Sequence, residues 1–163
     1  MRPQNVAHEF RKGIKRDKGN YNVLRDEKQW DEWKRQTVAM IYAHGYESIT
    51  SISYTPSDPE EILLFREQNK YMFDVFTSIL LTPMGKYIVC NHEGTRDAQK
   101  VLADYVKHMR TSTRADMEIE DLMTQLTSTR LTTNYTGTTQ NFIDWLDKMR
   151  KYEELTPWRF PFP

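Results

Sequence analysis

The most reactive side chains of the sequence lie close together around position 92. Cys90 and His92 are one residue apart and Glu93 follows, and these side-chain types serve as metal ligands or as a nucleophile with its base. A structural zinc site needs about four ligands at suitable spacing. The other histidines in the helical part of the chain, His44 and His108, belong to separate segments with no ligand motif around them. We therefore predict no metal and no catalytic residue.

Longer motifs that are typical of catalytic or phosphate-binding sites are also missing from the sequence. It contains no glycine-rich phosphate loop, no His-Glu-x-x-His, no Gly-x-Ser-x-Gly and no Asp-Thr-Gly or Asp-Ser-Gly motif. The carboxylates are interspersed with basic residues on polar helix faces, which is typical of solvated surface. The sequence therefore predicts a protein that is not an enzyme, with no cofactor and no small-molecule substrate.

The composition predicts a folded protein in a reducing compartment. Hydrophobic residues make up 38% of the 163 residues and aromatic residues 12%, so the chain can form a core. No stretch approaches the ~20 apolar residues that span a bilayer, and no apolar signal-peptide core begins the chain. A single cysteine cannot form an internal disulfide. We expect no membrane contact and a cytoplasmic location, with the nucleus also open.

Charge is divided unevenly along the chain, although the net charge is zero. Residues 1–25 hold seven Lys or Arg against two acidic residues, net +5, and the remainder is net −5. A basic arm on an acidic body favours contact with a polyanion or with the acidic face of a neighbouring copy; the alternative is a solubilising arm. The candidate nucleic-acid contacts are Arg11, Lys12, Lys15, Arg16 and Lys18.

Hydrophobic periodicity predicts an all-α fold, a bundle of five to six amphipathic helices. The first helix begins at Asp26, with Gln29 completing a capping box, and ends at Gly45. Trp30 and Trp33 share one face of it, as core residues or as a docking surface. Residues 46–54 are rich in Ser, Thr and Ile, which predicts a short strand or an extended connector.

The second helix has the clearest start signal, Asp58 followed by Pro59 at the first helical position. A broad apolar stripe that includes Phe73 and Phe76 predicts a central, largely buried helix, ended by residues 82–83. Pro83 opens a short helix, and the polar turn at residues 91–94 is where two lobes would divide, near 91–95.

Three further helices are predicted, capped by Thr95, Thr113 and Thr138. In the last one the side chains predicted to face inward are Phe142, Trp145, Leu146, Met149 and Tyr152. The domain prediction is a basic arm at 1–25, a helical domain at 26–156 and a Pro/aromatic tail at 157–163. Candidate core or interface aromatics are Trp30, Trp33, Phe73, Phe76 and Trp145.

Short motifs occur in a recognisable order along most of the chain. They lie at residues 10–17, 26–33, 54–56, 64–72, 80–86, 92, 97–99, 142–145 and 151–155. In order and spacing they resemble the Gag-like N-terminal region of copia-type LTR retrotransposon polyproteins. The resemblance implies a retroviral-capsid-like helical domain that self-associates into a shell around single-stranded RNA.

One feature of many Gag proteins is missing. A zinc knuckle needs three cysteines, and these residues contain one, so RNA contact is expected from the basic arm or from a segment beyond Pro163. The alternatives are a monomeric helical adaptor or DNA-binding module, and a Gag-derived gene that now serves its host. Against the DNA-binding alternative, the most basic segment lies outside the strong helices.

Overall fold

In the computed structural model the described part of the chain consists of Ala7, Glu9, Phe10, residues 18–128 and residues 139–156; the side chains of Thr113 and Arg114 are outside it. These residues form an all-α structure without a named strand. Short 3-10 helices lie at Lys18–Asn20, Glu27–Gln29 and Glu47–Thr50. The α-helices are α1 (Trp30–Ala43), α2 (Pro59–Ile79), α3 (Pro83–Asn91), α4 (Ala98–Thr111), α5 (Thr113–Ser128) and α6 (Thr139–Leu155).

The chain divides into two compact units, an N-terminal unit (Met1–Val106) and a C-terminal unit (Lys107–Pro163). The division lies inside α4 and not in the turn at 91–94 where the sequence placed it. The side chain of His92 bonds forward across that turn. The Nε2 atom of His92 lies 2.7 Å from the Oδ2 atom of Asp104, which is in the second half of α4.

The boundaries of the first two long helices follow local chemistry. Asp58 accepts a hydrogen bond from the Glu60 amide and Pro59 opens α2, as predicted. Gly45 follows α1 with φ of +73°, a left-handed conformation that glycine adopts without strain. Asp26 caps the 3-10 turn before α1 by accepting from the Lys28 amide, so the predicted capping box with Gln29 does not form.

Two later caps differ from the prediction by one or two residues. Asp97, and not Thr95, caps α4, because its Oδ1 atom accepts from the Lys100 amide at 3.2 Å. Ser112, and not Thr113, caps α5 through its hydroxyl oxygen, which lies 3.2 Å from the Ala115 amide. Several Ser, Thr and Asp residues precede each helix, and pattern alone does not choose among them.

The segment at 46–54 is not a strand. Residues 47–50 form a 3-10 helix with Ile49 fully buried, and the segment is held by a side chain from α4. The Nε2 atom of Gln99 donates to the carbonyl oxygens of Ser48, Ser51 and Tyr54. The connector is therefore fixed by bonds to a side chain instead of by a neighbouring strand.

Residues 21–25 are part of the folded N-terminal unit, so the folded region begins before the predicted boundary at 26. Leu24 is fully buried and pairs with the end of α2: its amide donates to the Ile79 carbonyl at 2.7 Å, and the Leu81 amide donates to the Leu24 carbonyl at 2.9 Å. Tyr21 is buried and its hydroxyl lies 2.7 Å from Nδ1 of His44. Burial, with smaller contributions from Tyr71 and Tyr46, raises the pKa of Tyr21.

The second half of α2 supplies six buried hydrophobic residues to the core of the N-terminal unit. The apolar face of α2 is buried from Tyr71 onward, but Ile62 and Leu63 in its first turns are exposed, so only half of the helix meets the prediction of a largely buried helix. The start of α3 is attached to α4, because the hydroxyls of Thr82 and Tyr105 are 2.7 Å apart. A Cβ on Gly85 would lie 2.9 Å from that Thr82 hydroxyl, so this cap requires glycine.

Candidate functional site

Helix α6 is amphipathic but has no fully buried residue between Thr139 and Leu155. Two neighbouring stripes run along it. Trp145, Met149 and Tyr152 are half-buried, and Thr156 at the end of this stripe is buried. The second stripe consists of Phe142, Ile143 and Leu146, and we call these three residues the α6 face. Their side chains are 41%, 50% and 46% exposed.

The exposure of the α6 face corrects the sequence prediction for this helix. Phe142 and Leu146 were expected to point inward, but only the stripe through Trp145 is substantially covered. One helix packed against another covers a narrow stripe, whereas apolar residues at 142, 143, 145, 146 and 149 span a wider arc. Ile143, next to Phe142, was the available signal that the apolar arc of α6 is wider than one packed stripe.

The C-terminal half of α6 is attached to α5 by polar contacts. Lys151 Nζ lies 2.5 Å from Glu118 Oε1, and the Tyr152 hydroxyl donates to Met123 Sδ at 3.4 Å. Arg150 pairs within its own helix, with Asp147 at 3.1 Å and Glu154 at 2.5 Å. These pairs orient the second half of α6, while the α6 face lies in the first half.

The apolar area of the α6 face is enough for a weak contact. Complete burial of a side chain of this size is worth roughly 1.5–3 kcal/mol, so covering the exposed half gives about 1 kcal/mol per residue. A symmetric pair of faces would then gain on the order of 6 kcal/mol. Association costs on the order of 4–15 kcal/mol, so this face suits a concentration-dependent contact that is strengthened when several operate together.

Trp145 lies beside this face and has an unusual polar atom. Its Nε1 atom is buried from solvent and has no hydrogen-bond partner among the described residues. An indole N–H without a partner costs about 1–3 kcal/mol. Trp145, one of the predicted core or interface aromatics, thus carries an indole N–H that is buried and unpaired among the described residues.

The other four candidate aromatics lie in the N-terminal unit. Trp33, Phe73 and Phe76 are buried, and Trp30 is half-buried. The Trp30 ring stacks on Trp33 with centroids 5.4 Å apart and lies 4.7 Å from the Tyr105 ring. The Trp33 indole donates to the Asn22 carbonyl at 2.7 Å. These contacts are internal, which favours the core alternative over a docking surface for the pair.

The candidate nucleic-acid residues are mostly outside the described part of the chain. Lys18 is exposed in the 3-10 helix Lys18–Asn20. Arg11, Lys12, Lys15 and Arg16 lie among residues 11–17, which are not described. Phe10, just before them, is buried, and its ring lies 5.6 Å from that of Tyr46. The chain on both sides of the basic segment is therefore attached to the N-terminal unit.

The residues with reactive side chains are not brought together. Cys90 is exposed, and the ring of His92 pairs with Asp104. Across the described ranges, no three His, Cys, Asp or Glu side chains are arranged to hold a metal ion. Among the same residues, no helix has both the length and the apolar character needed to cross a membrane.

A polar cluster between α2 and α4 is a feature that the sequence analysis missed. The Asn69 side chain donates to Asp97 Oδ1 at 3.1 Å and accepts from the Gln99 amide at 3.1 Å. In the helical period of α2, Asn69 lies between apolar residues of the same stripe, Phe65 and Met72. A polar residue within such a stripe was the available signal, but its partners are about thirty residues away in sequence.

Comparison with known proteins adds no relative: no family model matches the chain, and no curated protein or solved structure is significantly similar to it.

Proposed function

We propose that this chain is a structural assembly protein of the Gag-like capsid type, whose copies associate through the α6 face. The observation that carries the proposal is the exposed apolar stripe of Phe142, Ile143 and Leu146 on a helix with no fully buried residue. Exposed apolar groups that are contiguous on a helix are typical of contact surfaces. The order of motifs that resembles copia-type Gag supports the same function.

The contact between copies would be weak by itself and would depend on repetition. The area estimate for the α6 face leaves little surplus over the cost of association. In a shell each copy makes several contacts, and RNA that binds many copies raises their local concentration. We therefore propose that single-stranded RNA, held by the basic residues 11–18, promotes assembly.

The first test is the mass of the purified chain by light scattering across concentration, with and without single-stranded RNA. We expect growth into large particles that RNA promotes, and loss of that growth in a Phe142→Ser/Leu146→Ser variant. The matched control is Tyr42→Ser/Tyr87→Ser, which removes two exposed aromatic side chains from the N-terminal unit. A monomer at every concentration, indifferent to RNA, contradicts the proposal and favours a helical adaptor.

The RNA contact is tested separately by changing Arg11, Lys12, Lys15, Arg16 and Lys18 to Gln. Each phosphate contact in a single strand contributes about 0.7 to the slope of log affinity against log salt concentration. If all five residues contact phosphates, the slope should therefore fall by about 3.5. An unchanged affinity and salt slope would exclude these residues as the RNA contact. A sharp sequence-dependent affinity for duplex DNA would instead favour the DNA-binding alternative.

A further inference from the structure

A second exposed apolar surface lies in the N-terminal unit, around the start of α2. It comprises Ile52, Tyr54, Ile62 and Leu63, all exposed, together with the exposed carboxylates of Asp58, Glu60 and Glu61. We call these seven residues the acidic α2 surface. Four of the seven large exposed hydrophobic side chains described in the N-terminal unit fall in this short stretch, so it differs from the scattered single residues that every surface has.

The acidic α2 surface is held in place from behind. Gln99 bonds to the carbonyl oxygens of Ser48, Ser51 and Tyr54, and the Tyr54 ring lies 5.4 Å from the Phe65 ring. Gln99 is itself buried. A surface that is already ordered loses little conformational entropy when a partner binds, so its shape is available for recognition.

The charge of this region has one sign. Between residues 47 and 65 there are four acidic residues and no Lys, Arg or His; the next basic residue is Arg66. Asp58, Glu60 and Glu61 make no ion pair among the described residues. Unpaired carboxylates around aliphatic side chains match a partner with cations around an aliphatic residue.

We propose that the acidic α2 surface binds the basic segment, residues 11–18, of a second copy of this chain. That segment carries five Lys or Arg and one aliphatic residue, Ile14, the charge complement of Glu60 and Glu61 beside Ile62 and Leu63. The inference rests on the proposed assembly function, because it supplies a second contact between copies. This contact joins unlike surfaces, so copies add head to tail and form rings or open chains.

The contact makes assembly sensitive to salt and to RNA. Phosphates and carboxylates compete for the same five cations, and RNA has the higher density of charge. We expect RNA to displace the segment from the acidic α2 surface. The contact between the segment and this surface therefore forms before RNA binds, and copies associate through the α6 face after RNA has bound. Because the pair is exposed, added salt weakens it as the screening length shortens from about 10 Å at 0.1 M.

The test is the binding of a labelled peptide of residues 9–19 to the full chain, followed by fluorescence anisotropy. We expect Glu60→Gln/Glu61→Gln to weaken binding about tenfold or more, since both charges face the ligand. The matched control is Glu120→Gln/Glu153→Gln, two exposed carboxylates of the C-terminal unit, which should leave binding unchanged. Equal loss in both variants would show charge attraction without a site and would overturn the proposal.

A charge exchange makes the test independent of folding effects. A peptide with Lys12→Glu, Lys15→Glu and Lys18→Glu should bind a Glu60→Lys/Glu61→Lys chain and not the unchanged chain. Failure of this exchange, with helix content preserved by circular dichroism, would also overturn the proposal. Peptide binding that appears only after the chain's own segment is changed to Gln would show contact within one copy, contrary to the inference.

The outcome is separable from that of the proposed function. Phe142→Ser/Leu146→Ser should abolish the growth into large particles that RNA promotes and should leave peptide binding intact. Loss of peptide binding in that variant would contradict the separation of the two surfaces. Assembly without peptide binding would contradict this inference alone, and peptide binding without assembly would contradict the capsid proposal alone.

Discussion

Phe76 in α2 and Phe142 in α6 both belong to apolar stripes of amphipathic helices, yet Phe76 is fully buried and 41% of Phe142 is exposed. The N-terminal unit covers its aromatics with several kinds of element, including the extended residues around Leu24 and the 3-10 helix at Glu47–Thr50. In the C-terminal unit the described elements are helices alone. The difference teaches that non-helical segments complete the core of the first unit, while the second leaves the apolar α6 face exposed.

The largest expected effect comes from exchanging these two phenylalanines for alanine. Phe76→Ala should lower the free energy of unfolding by roughly 3–5 kcal/mol, because it leaves a cavity in a fully buried site. Phe142→Ala should lower it by less than about 1 kcal/mol and should weaken self-association instead. Chemical denaturation at a concentration where the chain is monomeric measures both. Equal losses would remove the distinction between the two units.

The next largest effect is expected at Gln99, which attaches the 47–54 connector to α4. Gln99→Leu removes the donor to three carbonyl oxygens of a partly buried segment, and we expect a loss of about 1–3 kcal/mol in the free energy of unfolding. Gln29→Leu, at an exposed position in the 3-10 turn before α1, is the control and should change little. A neutral Gln99→Leu would mean that the connector does not depend on these bonds.

The pH dependence of stability tests whether Tyr21 and the extended segment around it are held in the folded unit. In the folded state, burial raises the pKa of Tyr21 above the ordinary 10.0. Below pH 10 both the folded and the unfolded chain keep the proton, so the contribution of Tyr21 to the free energy of unfolding is complete. Above pH 10 only the unfolded state loses it, and stability falls by up to about 1.4 kcal/mol per pH unit. Tyr21→Phe should therefore make the decline between about pH 10 and 11.5 shallower.

The control for this pH experiment is Tyr42→Phe, because Tyr42 is exposed on α1. Its decline should match that of the unchanged chain. Identical curves for the two Phe variants would show that residues 21–25 are not held in the unit.

The smallest effect is expected at Thr37, inside the N-terminal core. Its hydroxyl is buried and has no hydrogen-bond partner among the described residues. Thr37→Val keeps the shape and removes the unpaired group, so it should raise the free energy of unfolding by about 1 kcal/mol. Thermal unfolding measures the change. A clear loss of stability in Thr37→Val would show that this hydroxyl has a hydrogen-bond partner and that the core is more polar than the described contacts indicate.

The sequence by itself determined the all-α class and the ends of the best-marked helices. Asp58 with Pro59, the Thr82–Pro83 pair and Gly45 act through bonds and dihedral angles within about four residues, so their local identity is sufficient. The sequence did not predict that Asp97, and not Thr95, caps α4, because Asp97 also accepts a long-range hydrogen bond from Asn69 in α2.

Only the tertiary structure decided which apolar stripes are covered. Periodicity marks a face as apolar but does not say whether a neighbour lies on it, and so Phe76 and Phe142 are alike in sequence and opposite in burial. The same holds for Gln99, whose carbonyl partners lie about fifty residues earlier in the chain. Burial and such long-range bonds depend on where separate elements meet, and that position is a property of the folded chain.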